Sequence, residues 1–188
     1  MNRTLNRNRA DINTHIDLLK QVTDLNSGLY LEEDLKNTTK TKFCIGVAGY
    51  PEKHFEAPNM ESDLRNLKAK VDAGADYIVT QMFFDNAKYF SFVNACREIG
   101  ITVPIIPGLK PVYSKKQLTI LPKTFHIDLP TPLSEAITNC KTDEDVEKVG
   151  TEWLLQQSKE LKKAGVPVLH YYTLGRPHIV ASVVKELM

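Results

Sequence analysis

A chain of 188 residues with a formal net charge of +1 fits one domain and has no global field to draw in nucleic acid or an acidic membrane surface. Its hydrophobic fraction of 42% and charged fraction of 25% are those of a globular protein, and no apolar run approaches the roughly 20 residues of a membrane span. Cys44, Cys96 and Cys140 are scattered and form no CxxC pair, which argues against a disulfide framework or a metal site and for a reducing, cytoplasmic setting. Cys44 and Cys96 lie in apolar contexts and are expected to be buried thiols.

Residues 1–11 are polar, basic and aperiodic, and are expected to be disordered; residues 12–188 form the folded domain. From Ile12 the apolar positions Ile16, Leu18, Leu19, Val22 and Leu25 recur at helical spacing until Asn26-Ser27-Gly28 stops them. Residues 31–42 read as a loop. The apolar run 43–49 predicts a buried strand, and the polar stretch 50–58 a loop. The next helix carries Leu64, Leu67 and Val71 on one face and ends at Gly74. Residues 77–84 predict a second buried strand.

That strand–helix–strand unit is the centre of the chain. Asp63, Asn66 and Lys70 share a helix face distinct from the leucine face. A carboxylate, an amide and an ammonium in one row form either a solvated face or a ligand edge. Gln81 sits near the C-terminal end of an otherwise apolar strand. A buried amide needs partners, and the C-terminal strand ends of a parallel barrel form the active-site floor. Gln81 is therefore either a structural amide or a ligand contact.

Asn86 is a candidate cap for a helix carrying Tyr89, Phe92, Val93 and Cys96, which Gly100 ends. Residues 103–108 predict a third strand. Ser114, with Gln117 three residues on, forms a possible capping box for a short helix to Leu121. Residues 122–132 carry three prolines and read as irregular, followed by a short helix over 133–140. Thr142 starts a long helix with acids in its first turn and lysines near its end. Residues 166–174 predict the last strand and 177–187 the last helix. Four short apolar strands alternating with helices mean a parallel sheet in an α/β fold.

The runs Tyr50-Pro51-Glu52-Lys53-His54, residues 63–85, residues 106–111 and residues 170–176 together resemble methylenetetrahydrofolate reductase, from about Ile16 to the C-terminus. The resemblance implies a TIM-barrel (βα)8 fold of which only the C-terminal half, about four βα units, is present. It implies FAD as cofactor and NAD(P)H as reductant. The implied reaction reduces 5,10-methylenetetrahydrofolate to 5-methyltetrahydrofolate, in one-carbon metabolism and methionine synthesis, and is expected only together with the missing N-terminal half; the alternative is a truncated half barrel that self-associates or binds flavin or folate without turnover.

By the same resemblance Tyr50, His54, Ala57, Asp63, Asn66 and Lys70 sit at flavin positions. Gln81 matches the glutamine that meets pterin and nicotinamide. Gln117 and Arg176 match residues that hold the folate's glutamate tail. Ala69 departs from the pattern, since some relatives carry an arginine there, and Leu121 stands where some place an aromatic. The family's general-acid glutamate and flavin-side aspartate lie on strands with no counterpart here, so no catalytic residue is assigned. The implied partners are the folate substrate and either a complementary N-terminal half or a second copy, with no nucleic acid, membrane or metal. Open strand edges at 44–48 and 167–171, and an inner face of Ile, Val and Phe, predict self-association.

Overall fold

A computed structural model describes residues 15–32 and 34–188. The N-terminal stretch 1–11 and the first residues of the predicted opening helix lie outside the described residues. Four strands, β1 (Gly46–Gly49), β2 (Tyr77–Met82), β3 (Ile105–Leu109) and β4 (His170–Tyr171), form one sheet in the order β1-β2-β3-β4. All three pairings are parallel. Among the described residues there are seven helices: α1 (His15–Ser27), α2 (Met60–Asp72), α3 (Asn86–Glu98), α4 (Gln117–Phe125), α5 (Thr131–Asn139), α6 (Asp143–Lys163) and α7 (Pro177–Leu187). Strands in sequence order with a helix after each one make a partial TIM barrel.

β2 shows how the sheet sorts its faces. Ile78, Thr80 and Met82 are buried, while the intervening Tyr77, Val79 and Gln81 are half-buried. Ile78, Ile105 and Leu109 pack against Leu64 and Leu67 of α2, Phe92 of α3, Leu154 and Leu161 of α6 and Val183 of α7. The helices therefore cover one face. The other carries Ala48, Tyr77, Val79, Gln81, Ile106 and His170, all partly or fully exposed. The phenylalanines expected there are elsewhere: Phe83 and Phe84 follow β2 and are 0% and 1% exposed in two separate clusters.

β1, β2 and β4 are shorter than their apolar runs, β2 by Phe83 and Phe84 and the two edge strands by more. Ahead of β1, the Phe43 N–H donates to Asn26 Oδ1 at 2.8 Å and the Ile45 N–H to Asp76 Oδ2 at 2.7 Å. Side chains thus take the backbone groups that a ladder would use. This edge position also corrects the reading of Cys44, which is exposed; Cys96 is buried, and burial pushes its thiol up to about 11. On the other edge only His170 and Tyr171 pair with Gly108 and Leu109, and Val168 is 51% exposed. Pro167 has no N–H to give a ladder.

The β2–β3 register shifts between Val79 and Met82. Thr80 Oγ1 accepts the Gly108 N–H at 2.9 Å, and Tyr172 donates its hydroxyl to the Thr80 carbonyl at 3.0 Å. A Cβ at position 108 would collide with that carbonyl, so glycine is required there. Gly150 of α6 likewise lies against the Val112 carbonyl, where a side chain has no room.

Helix starts depart from the sequence reading in two places. Asp85, not Asn86, caps α3 by accepting the Ala87 N–H at 2.9 Å. Asn86 is buried and donates to the Gln157 carbonyl at 3.2 Å and Glu160 Oε2 at 2.8 Å. The expected Ser114–Gln117 capping box does not form, because Gln117 Oε1 accepts the Tyr113 N–H at 2.7 Å. α4 then continues through Pro122 to Phe125, into the stretch read as irregular, and left-handed His126 closes it. α5 begins at Thr131, with Pro132 in its first turn, where a missing N–H costs nothing. Thr142 caps α6 in a reciprocal box with Asp145.

Candidate functional site

β2 ends at the rim formed by the C-terminal strand ends, and Gln81 projects from its uncovered face. Its Oε1 accepts the Met82 N–H at 2.9 Å, fixing the amide. Gln81 lines a cleft with Tyr50, Pro51, Phe125 and His126 of only about 10 Å³. That is too small for a ring, so only the open side of Gln81 has room for one. α6 holds the strand end in place: Trp153 Nε1 donates to the Phe84 carbonyl at 3.0 Å and Gln157 Nε2 to that of Phe83 at 3.3 Å.

The β1–α2 loop supplies the other wall. Tyr50 sits edge-on to His54, with ring centroids 4.6 Å apart. His54 neighbours Phe55 at 4.9 Å, and Phe55 stacks on His126 at 4.7 Å. Burial, then the charges of Asp63 and Glu56, raise the Tyr50 phenol, which stays protonated at neutral pH. Lys53 has φ 82° and turns its ammonium inward, donating to the His54 carbonyl at 2.8 Å and the Ala57 carbonyl at 2.6 Å. Ala57 is 8% exposed. Asp63 Oδ2 accepts the His54 N–H at 2.8 Å, pinning the loop to the first turn of α2.

The structure thus joins Tyr50, His54, Ala57 and Asp63. Asn66 is exposed and Lys70 half-buried farther down the same helix face. At 1.5 Å rise per residue, Asp63 and Lys70 stand ~10 Å apart along the axis. Only an elongated ligand spans both this stripe and the aromatic loop.

Gln117 and Arg176 form a separate group around Tyr113. Gln117 is 7% exposed and holds the Tyr113 backbone. The Arg176 guanidinium and Lys110 Nζ each lie 4.7 Å from the centre of the Tyr113 ring. Arg176 also donates to Glu147 Oε2 at 3.1 Å, and His178 Nε2 meets Glu147 Oε1 at 3.2 Å. The groove beside them, about 550 Å³, is rich in carboxylates: Asp143, Glu144, Glu147 and Glu152 line it with Lys148 and Arg176. A ligand carboxylate at Arg176 competes with Glu147 for the fork.

Lys110 escaped the sequence reading. It follows β3 directly and is 1% exposed. Its ammonium donates to the Pro111 carbonyl at 2.9 Å, and burial lowers it to about 8. The signal was available: a charged residue ending a buried apolar strand is the same anomaly that marked Gln81.

Among the described residues no group of three or more His, Cys, Asp or Glu side chains is placed to hold a metal ion. No described helix is long and apolar enough to cross a membrane.

The family model "Methylenetetrahydrofolate reductase" matches residues 9–188. A probable methylenetetrahydrofolate reductase (NADPH) of Caenorhabditis elegans is 40% identical over 147 residues, covering 77% of this chain and 22% of that protein. Methylenetetrahydrofolate reductase (NADH) 1 of Arabidopsis thaliana is 40% identical over 156 residues, covering 76% and 26%. The 5,10-methylenetetrahydrofolate reductase of Escherichia coli is 38% identical over 146 residues, covering 77% and 49%. The chain thus spans about half or less of the length of these relatives. An uncharacterized Clostridium thermocellum protein whose structure binds two copies of 5-methyl-5,6,7,8-tetrahydrofolic acid superposes with TM-score 0.56. It is 22% identical, and the match covers 77% of this chain and 54% of that one, which supports the fold. On the extent of the family match and these identities, the chain belongs to the methylenetetrahydrofolate reductase family.

Proposed function

We propose that this chain provides the FAD edge and the folate floor for the NAD(P)H-dependent reduction of 5,10-methylenetetrahydrofolate to 5-methyltetrahydrofolate. The observation that carries the reading is Gln81, a fixed amide at the C-terminal end of β2 that opens onto the uncovered sheet face beside Tyr50. An amide both donates and accepts, as the edge of a pterin requires.

The donor set suits FAD. An elongated cofactor suits a row of donors that runs from the aromatic loop along α2 to Lys70, ~10 Å beyond Asp63 on the helix axis. Tyr50 and His54 offer ring faces and hydrogen-bonding edges, Asn66 an amide for hydroxyls, and Lys70 a point charge for a phosphate. Asp63 is already committed to the His54 N–H, so its role there is to shape the loop. When bound, FAD supplies hydride transfer between the reductant and the folate. Gln117 and Arg176 hold the glutamate tail of the folate, with Tyr113 between them. The residues assigned here bind and orient. The acid that opens the imidazolidine ring is not among them, and we assign it to a complementary half barrel.

The test is a visible spectrum of the purified chain, followed by titration with FAD and then with 5-methyltetrahydrofolate, alone and with a polypeptide that completes the barrel. The expected result is flavin bound by the chain or by the pair, and folate bound beside it. Absence of both ligands from the completed barrel refutes the proposal.

A further inference from the structure

A largely buried carboxylate lies within the aromatic loop, outside the residues assigned to ligands. Glu52 lies two residues beyond Tyr50, and its side chain is 9% exposed. One oxygen accepts Lys88 Nζ at 3.0 Å; the other accepts the backbone N–H of Asp128 at 2.6 Å. Lys88 Nζ also meets Asp128 Oδ2 at 2.5 Å. Burial raises Glu52, and Lys88 and the Asp128 N–H offset it only in part. Burial alone would lower Lys88, but its bonds to Asp128 and Glu52 outweigh that and raise it.

Burying a carboxylate is costly even when it is paired. This one joins segments 76 residues apart in the chain. A second contact runs parallel to it. Phe55 is 58% exposed, yet its ring stacks on His126, two residues before Asp128. Both joined segments wall the cleft at Gln81: Tyr50 and Pro51 from one, His126 and Ile127 from the other. We propose that Glu52, Lys88 and Asp128 form a latch between the β1–α2 loop and the segment after α4. Glu52 is thereby a positioning residue for Tyr50 and His54. The latch itself rests on geometry alone; its consequence for ligand binding rests on the cofactor reading given above.

The test uses the full chain with Glu52→Ala, the conservative Glu52→Gln, and Lys88→Met. Glu52→Gln keeps an acceptor for the Asp128 N–H and loses the charge. Hydrogen exchange is followed at the amides of 53–57 and 126–128, with α2 and α6 as internal references. In Glu52→Ala both segments are expected to exchange about 10-fold faster, the factor implied by losing a charge-assisted hydrogen bond. Glu52→Gln should recover part of the protection, and FAD affinity should follow the same order. Unchanged exchange in both segments overturns the latch. Faster exchange with unaltered FAD affinity overturns the positioning role. A wild-type chain that takes no FAD, even with its barrel completed, refutes the cofactor reading, and the exchange data alone then decide the latch. Should Glu52→Ala fail to fold, Lys88→Met reads the same amides with the carboxylate in place.

Discussion

Replacing Lys110 with methionine should stabilise this protein. Lys110 is 1% exposed, and burial lowers its ammonium from 10.5 to about 8. A lysine so lowered is disfavoured in the fold by about 3 kcal/mol at pH 7. Methionine of similar length removes that penalty and forfeits two contacts. One is the hydrogen bond to the Pro111 carbonyl; the other is the cation–ring contact with Tyr113. Together these are worth roughly 1–2 kcal/mol net. The balance is a gain of about 1–2 kcal/mol, within the range seen when buried ions give way to apolar groups. The pH dependence is the sharper signature. Because the folded state binds fewer protons than the unfolded chain between pH 8 and 10.5, the lysine's burden lightens as pH rises through that window. It falls to about 1.4 kcal/mol by pH 9.5. The advantage of Lys110→Met should therefore shrink by about 2 kcal/mol between pH 7 and 9.5. Urea denaturation of both proteins at the two pH values measures it, and taking the difference cancels Cys96 and Tyr89. A difference that does not change with pH would refute the claim that Lys110 is buried and unpaired by a carboxylate.

Lys70→Ala should weaken FAD binding a few-fold, discounted for its partial exposure. The effect should fade at high salt and leave folate affinity unchanged; a titration of the completed barrel at two ionic strengths reads it, and equal FAD affinities return the stripe to a solvated face. Gln81→Ala should do the reverse, weakening folate about 3–10-fold, the value of one neutral hydrogen bond, with no loss of fold by circular dichroism. Thr142→Ala breaks the box with Asp145 at the start of α6, and thermal melts should show a loss of about 1 kcal/mol. Finally, the uncovered face with Tyr77, Val79 and Ile106, together with two open edges, should drive association at micromolar concentration. Sedimentation velocity tests this, and a monomer at every concentration with protected amides in β1 and β4 counts against it.

Periodicity carried most of the fold. Leu64 and Leu67 fell on the buried face of α2, Phe92 and Cys96 on that of α3, and the order of strands and helices followed from the alternation of apolar runs. What periodicity could not carry is which backbone groups find a partner. Residues 43–45 and 166–169 are as apolar as the strands they adjoin. Ladder pairing stops there because Asn26 and Asp76 intercept one segment and Pro167 interrupts the other. Apolar content says that a run prefers to be covered; it does not say that a neighbouring strand is there to cover it.

The site divides along a similar line. Gln81 was legible because a polar residue inside an apolar strand is a local anomaly that only a long-range partner or ligand explains. Lys110 is the same anomaly one strand along, hidden because proline and glycine beside it made it read as loop. Glu52 carried no such mark: a glutamate in a polar loop is ordinary until the fold brings Lys88 and Asp128 to it from 36 and 76 residues away. Arg176 shows the remaining difficulty. Its residue type suits a carboxylate, yet in the fold it is already engaged by Glu147. Glu147 holds one side of that guanidinium and the Tyr113 ring lies 4.7 Å from it, so a second carboxylate has to compete for the fork. With Asp143, Glu144 and Glu152 lining the same groove, any carboxylate brought to Arg176 meets Glu147 already in place and three further acids around it, so residue type alone overstates how open this guanidinium is to an anion.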